Sequence, residues 1–121
     1  RYGAAFASST RTICSIFAHA AKVYASLGNA TIQTYADTLQ ARSELAWTWL
    51  QANPAYSYYD NSGFSSANPE RPEYDQDALE ISAAIYLYAL TGDAQYRNYV
   101  DAVIRMLCFT IAISPGQLRE R

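Results

Sequence analysis

The sequence has little charge and no cluster of basic residues. Only 17% of its 121 residues are Asp, Glu, Lys or Arg, and the nine Lys and Arg are scattered along the chain. Proteins that bind nucleic acid concentrate basic residues against the phosphates, so no nucleic-acid partner is expected. No apolar run reaches the roughly 20 residues that a helix needs to cross a bilayer, so no membrane partner is expected either. So low a charge content is typical of a segment of a larger core.

Residues that bind metals or cofactors through sulfur or imidazole are also scarce. The chain has one histidine, His19, and two cysteines, Cys14 and Cys108, without metal-ligand spacing. We therefore predict no metal and no cofactor. Both cysteines lie among apolar residues, which favours buried free thiols; a disulfide would require their Cα atoms to lie within about 7 Å. Because the chain opens without an initiator Met or a signal peptide, we expect it to be part of a longer sequence.

Apolar residues at helical spacing predict four helices, over residues 10–26, 34–52, 75–91 and 94–107. Gly28-Asn29, Asn53-Pro54 and Gly92-Asp93 separate or end them, since these residues favour helix termini. The short turns predict two αα-hairpins, and the fold class is therefore all-α. The third helix is apolar nearly all round, so more chain must cover it. This pattern predicts an αα-barrel or a solenoid, of which the chain is one piece.

The same spacing predicts which faces are buried. Ser9 is the expected N-cap of the first helix. Trp49 is predicted to lie in the core, and Trp47 at an interface with a neighbouring helix. The predicted buried stripe of the first helix consists of Ile13, Ile16, Phe17, Ala20, Val23, Tyr24 and Leu27.

The long connection over residues 55–74 has no clear periodicity and is rich in tyrosine. Loops of this length in compact domains are usually functional or disordered. A tyrosine ring can stack on a sugar while its hydroxyl stays solvated, although it can equally anchor a loop to the helices. The four tyrosines in or beside this segment are Tyr56, Tyr58, Tyr59 and Tyr74.

Asp75 and Asp77 lie where the third helix is expected to start. They can cap that helix, as in the capping-box spacing from Asp77 to Glu80. They can also contact sugar hydroxyls or, less simply, help to hold Ca²⁺. All three interpretations are compatible with the sequence.

Three segments resemble motifs of family 9 glycoside hydrolases, the cellulases and endoglucanases. Residues 18–24 (A-H-A-A-K-V-Y) are similar to the family's A-Q-A-A-R-V-Y helix. Residues 46–54 (A-W-T-W-L-Q-A-N-P) and 83–96 (A-A-I-Y-L-Y-A-L-T-G-D-A-Q-Y) resemble two further motifs in the same order. The resemblance implies that residues 1–106 are part of an (α/α)6-barrel catalytic domain, followed by an atypical tail over residues 107–121.

The resemblance also implies a function. The parent protein would be a secreted, extracellular enzyme that hydrolyses β-1,4-glucan such as cellulose with inversion, and the remainder of the catalytic domain would be this segment's partner. The family's base lies in a D-A-G-D motif that this chain lacks, and no catalytic residue is assigned here. The chain departs from the family at Ser82, where a Trp is common. The residues expected to contact substrate are Tyr58, Tyr59, Tyr74, Asp75 and Asp77.

Two other functions fit the same helices. An αα-hairpin repeat scaffold would bind a partner without catalysis, although the two hairpins show no repeat in sequence. An αα-barrel enzyme of another carbohydrate-active family would share the fold. His19 has Ser15 four residues before it, but no orienting group or oxyanion site accompanies them, so a catalytic pair is not expected. Asn29-Ala30-Thr31 fits the N-glycosylation sequon, which matters only in a eukaryotic secretory context.

Overall fold

The computed structural model describes residues 5–57 and 72–112, with side chains to Met106. Four helices occupy these residues: α1 (Ala7–Ala25), α2 (Ala30–Ala52), α3 (Glu73–Thr91) and α4 (Ala94–Ala112). The described part of the chain contains no strand, which confirms the all-α class. None of its helices is long and apolar enough to cross a membrane. The predicted division between residues 106 and 107 falls within α4.

The helix breaks fall at the predicted residues, but α2 begins at Ala30, four residues before the predicted start at residue 34. Asn29 caps α2, because its side-chain oxygen accepts hydrogen bonds from the backbone N–H groups of Thr31 and Ile32 at 3.0 and 3.3 Å. Gly92 ends α3 in the left-handed conformation at φ 70°. Asp93 then begins α4 by accepting the Gln95 N–H at 3.0 Å.

Two predicted N-caps are wrong. The N-cap of α1 is Phe6, and Ser9 lies within its first turn. The N-cap of α3 is Pro72, so Asp77 lies inside the helix and makes no capping box. In both cases the helix begins a few residues before the apolar pattern from which its start was predicted. Residues such as Ala7 and Glu73 are compatible with a helix but add nothing to that pattern.

The two hairpins lie side by side. In the first, α1 and α2 are antiparallel, since the Ala7 N–H donates to Ser57 and Cys14 contacts Ser43. Between the hairpins, α1 and α3 run parallel: Arg11 meets Glu80, Ser15 meets Ser82 and His19 meets Tyr86, in ascending order on both helices. Helix α2 packs against α1, and α4 packs against α3.

The core lies where the four helices meet. Trp47, only 3% exposed, packs edge-on against the rings of Tyr96 and Tyr99, at centroid distances of 5.3 and 4.9 Å. Trp47 thus lies at an interface with a neighbouring helix, as predicted, and is itself a core residue. Trp49, predicted to lie in the core, packs against it only partly buried. The buried core consists of Cys14, Ala18, Trp47, Leu50, Ala83, Ala84, Leu87 and Tyr96.

Helix α1 buries a different face from the one predicted. Ile16 and Leu27 of the expected core stripe are 53% and 57% exposed. The helix instead turns small and polar residues inwards, because small side chains let the axes of neighbouring helices approach closely. These buried residues are Ala7, Ser8, Arg11, Cys14, Ser15, Ala18 and Ala21.

Cys14 is a buried free thiol, as predicted. Burial raises its pKa to about 11, against the lowering effect of a hydrogen bond with Ser43. The side chain of Cys108 lies outside the described residues.

Candidate functional site

A buried ion pair joins α1 to α3 in the N-terminal halves of both helices. Arg11 and Glu80 are 2% and 6% exposed, and Arg11 Nε donates to Glu80 Oε2 at 2.6 Å. The other two guanidinium nitrogens donate to Gln76 Oε1 at 3.0 Å and to the Pro54 carbonyl at 3.3 Å. Arg11 therefore joins α1 to α3 and to the chain leaving α2.

Glu80 accepts hydrogen bonds from two further helices. Gln51 of α2 donates to Glu80 Oε1 at 3.2 Å. The hydroxyl of Tyr99 in α4 also bonds to Glu80, and burial together with this carboxylate raises the pKa of Tyr99. Glu80 therefore accepts hydrogen bonds from Arg11, Gln51 and Tyr99 and connects α3 to the other three helices.

Tyr56 covers the solvent side of this cluster. Its hydroxyl donates to Asp77 Oδ1 at 2.7 Å, and the guanidinium carbon of Arg11 lies 5.1 Å from its ring centroid. The hydrogen bond to Asp77 is the main cause that raises the pKa of Tyr56 to about 12. These contacts fasten the chain after α2 to the second turn of α3.

The cluster forms the floor and wall of a cleft of about 260 Å³. It lies at the end of the hairpins where α1 and α3 begin, α2 ends and the long connection departs. Its lining combines two carboxylates, a guanidinium group, an amide and two phenol groups with apolar surface, a combination that suits a polyhydroxylated ligand. The cleft is lined by Arg11, Leu50, Gln51, Pro54, Tyr56, Asp77, Glu80, Tyr99, Val103 and Met106.

The residues predicted to contact substrate have different positions. Asp77 lines the cleft. Asp75 is half-buried in the first turn of α3, and neighbouring Tyr74 is 81% exposed; neither lines the cleft. Tyr58 and Tyr59 lie outside the described residues. Within the part of the chain that the structure describes, no group of His, Cys, Asp and Glu is arranged to hold a metal ion.

Four of the polar residues that line the cleft were not predicted to lie in a site: Arg11, Gln51, Glu80 and Tyr99. Gln76 and Glu80, one helical turn apart on an otherwise apolar helix, were the available signal, because buried polar groups on such a face require partners. Their partner Arg11 lies 69 residues from Glu80, a separation at which no local pattern identifies a pair.

Ser15 and His19 both have partners on α3. Ser15 Oγ bonds to Ser82 Oγ at 3.1 Å. The His19 ring stacks flat on Tyr86, with centroids 4.5 Å apart and planes at 6°. Both contacts hold α1 against α3.

Comparisons with known proteins do not identify a relative. No protein-family model matches the chain, and neither the curated proteins nor the solved structures include a significant match.

Proposed function

We propose that this chain is the helical middle part of a β-1,4-glucan hydrolase resembling family 9 glycoside hydrolases, and that its cleft binds the glucan. The observation that carries this proposal is the pairing of Tyr56 with Asp77 above the buried Arg11–Glu80 pair. A fixed aromatic ring beside a fixed carboxylate provides both a stacking surface and an acceptor for sugar hydroxyls.

The arrangement of the four helices supports the proposal that this chain is part of an αα-barrel. Parallel α1 and α3, each backed by an antiparallel helix, would be two successive inner helices with their outer partners. Both inner helices also expose large apolar side chains: Ile13 and Ile16 on α1, Ile85 and Tyr88 on α3. Further barrel helices would cover these faces, because surfaces of this kind are costly to leave in water.

The chemistry of the cleft favours binding over cleavage. Inverting hydrolysis needs an acid and a base about 6.5–9.5 Å apart with room for a water between them. Glu80 is neutralised by Arg11, and Asp77 accepts the Tyr56 hydroxyl. The acid and the base would therefore come from the remainder of the catalytic domain, and the chain alone would bind β-glucan without cutting it. Such an enzyme would act outside the cell, where its polymeric substrate is found.

The test is a calorimetric titration of the full chain with cellohexaose, at a protein concentration where sedimentation shows no self-association. We expect binding that Tyr56→Ala weakens about tenfold or more, which corresponds to about 1.4 kcal/mol. Tyr56→Phe keeps the ring and removes the hydrogen bond to Asp77, so it separates stacking from positioning. Tyr88→Ala is the matched control, because Tyr88 is 41% exposed in the last turn of α3, at the opposite end of that helix from the cleft.

Xylohexaose and mannohexaose provide the comparison between sugars. Preference for either over cellohexaose would favour an αα-barrel enzyme of another carbohydrate-active family. A folded chain that binds none of the three sugars at millimolar concentration would refute the proposal and leave the binding scaffold as the better interpretation. Release of reducing sugar by the purified chain would contradict the assignment of the catalytic groups to other parts of the parent.

A further inference from the structure

The turn between α1 and α2 carries a feature that glucan binding does not use. Asn29-Ala30-Thr31 is the single Asn-X-Ser/Thr sequence, with X other than Pro, in all 121 residues. Such a sequon is the acceptor for N-linked glycosylation and has to be reachable from solvent. Both Asn29 and Thr31 are exposed.

The two ends of the Asn29 carboxamide have separate roles. Its oxygen accepts the hydrogen bonds from Thr31 and Ile32 that cap α2. Its nitrogen, Nδ2, is the atom that a glycan would modify, and it takes no part in these capping bonds. A glycosylated asparagine keeps its carbonyl oxygen, so the cap and the modification are compatible on one side chain.

We propose that Asn29 is an N-glycosylation site, which is used when the chain passes through a eukaryotic secretory pathway. The co-reactant is an oligosaccharide linked to a lipid through pyrophosphate. A bond forms between Asn29 Nδ2 and the anomeric carbon of the first sugar, while the bond from that carbon to the pyrophosphate oxygen breaks. The amide nitrogen loses one proton, and the lipid pyrophosphate leaves; no oxidation or reduction is involved.

The surroundings of the turn accommodate a sugar. A shallow groove of about 540 Å³ begins at the residue after Asn29 and follows one face of α2. Tyr35 in this groove also contacts Tyr24 edge-on, at a centroid distance of 5.5 Å, so its ring is held in place. A sugar at Asn29 can pack on this ring and on threonine methyl groups. The groove is lined by Ala30, Thr31, Thr34, Tyr35 and Thr38.

The position also leaves the cleft open. The cleft is at the end of α2, next to Gln51 and Tyr56, whereas Asn29 precedes the first residue of the same helix. A helix of 23 residues is about 35 Å long at 1.5 Å per residue. A glycan at Asn29 is therefore remote from the cleft, and this proposal does not depend on glucan binding.

The test is expression of the full chain behind a cleavable leader in a eukaryotic secretory host. Intact mass is measured before and after peptide N-glycosidase, on both secreted and cell-retained protein, so poor secretion does not hide the result. We expect one glycan on the unaltered chain and on Thr31→Ser, which preserves the sequon.

Two variants remove the acceptor without harming the helix. Asn29→Asp keeps an N-cap of equal quality but lacks the amide nitrogen. Ala30→Pro places proline at the first helical position, where it is favoured, but breaks the sequon. Both should have no glycan and unchanged helical circular dichroism. An unaltered chain without a glycan in either pool would overturn the proposal, as would a glycan that persists in Asn29→Asp.

Discussion

Replacing Arg11 with methionine should destabilise the fold more than any surface substitution. Methionine fills a similar space but leaves the Glu80 carboxylate buried without its counter-charge. The Pro54 carbonyl loses a donor, and Tyr56 loses the cation above its ring. Arg11 makes these contacts across three segments of chain, so the substitution should loosen the whole end of the hairpins that forms the cleft.

The expected magnitude follows from burial. The two side chains are 3% and 8% exposed, and removing one partner of a pair buried in this way costs about 3–5 kcal/mol. Small domains unfold with a total of about 5–15 kcal/mol, so Arg11→Met should remove a large part of the stability. The pair Arg97–Asp101 is the matched control: its atoms lie 3.7 Å apart, and its side chains are 66% and 50% exposed. Arg97→Met should therefore cost no more than about 1 kcal/mol.

Urea unfolding followed by circular dichroism measures both costs, provided that the slope with denaturant is unchanged. The double variant Arg11→Met/Glu80→Leu replaces both charges with apolar groups. It should be more stable than the sum of the two single effects predicts, by about 2 kcal/mol, because neither charge is left alone. If Arg11→Met costs no more than Arg97→Met, or if the single effects simply add, then the buried pair does not hold these helices together.

Three further predictions concern the rest of the fold. Because burial raises the pKa of Cys14 to about 11, it should resist alkylation at mildly alkaline pH until urea unfolds the chain; peptide mass mapping that finds Cys14 rapidly modified in the folded state would contradict its burial. The hydrogen bond to Asp77 raises the pKa of Tyr56 to about 12, and burial raises the pKa of Tyr96 to about 12, from about 10 for an unperturbed tyrosine. The stability that these two neutral phenols contribute to the fold is fully present below pH about 10 and is lost as pH rises through about 12. The urea midpoint should therefore fall across that range, and it should fall less steeply in Tyr96→Phe. An equal fall of the midpoint with pH in both proteins would argue against a raised pKa at Tyr96. Leu87→Ala should cost about 2–5 kcal/mol, because Leu87 is fully buried, whereas Leu45→Ala, at a site 66% exposed, should change stability by less than about 0.5 kcal/mol; equal urea midpoints would show that Leu87 is outside the core.

Much of the secondary structure could be predicted from sequence. Asn29, Asn53 and Gly92 act through their own backbone and side-chain chemistry, and the structure places a helix terminus at each. The start of α3 was predicted less accurately. The acidic residues at 75 and 77 resemble a cap, but the helix begins at Glu73, immediately after Pro72, whose fixed φ is compatible with an N-cap position.

The candidate site was predicted only in part. Asp77 was expected to contact substrate, whereas Tyr56 was one of the loop tyrosines that could either stack on a sugar or anchor the loop. The structure joins the Tyr56 hydroxyl to Asp77 at 2.7 Å. The ion pair beneath them depends on the parallel packing of α1 against α3, which no local pattern encodes. Tyr58 and Tyr59 stay predictions.

The sequence by itself determined the number of helices and where they break, because capping and turn residues act over a few neighbouring positions. Only the tertiary structure decided which faces those helices bury. On α1, apolar spacing favoured the face with Ile13 and Ile16, but the helices pack through Arg11, Cys14 and Ala18. Small residues allow close approach, and a buried charge is tolerated where a partner from a distant segment meets it, so the choice of face is a property of the packed helices together.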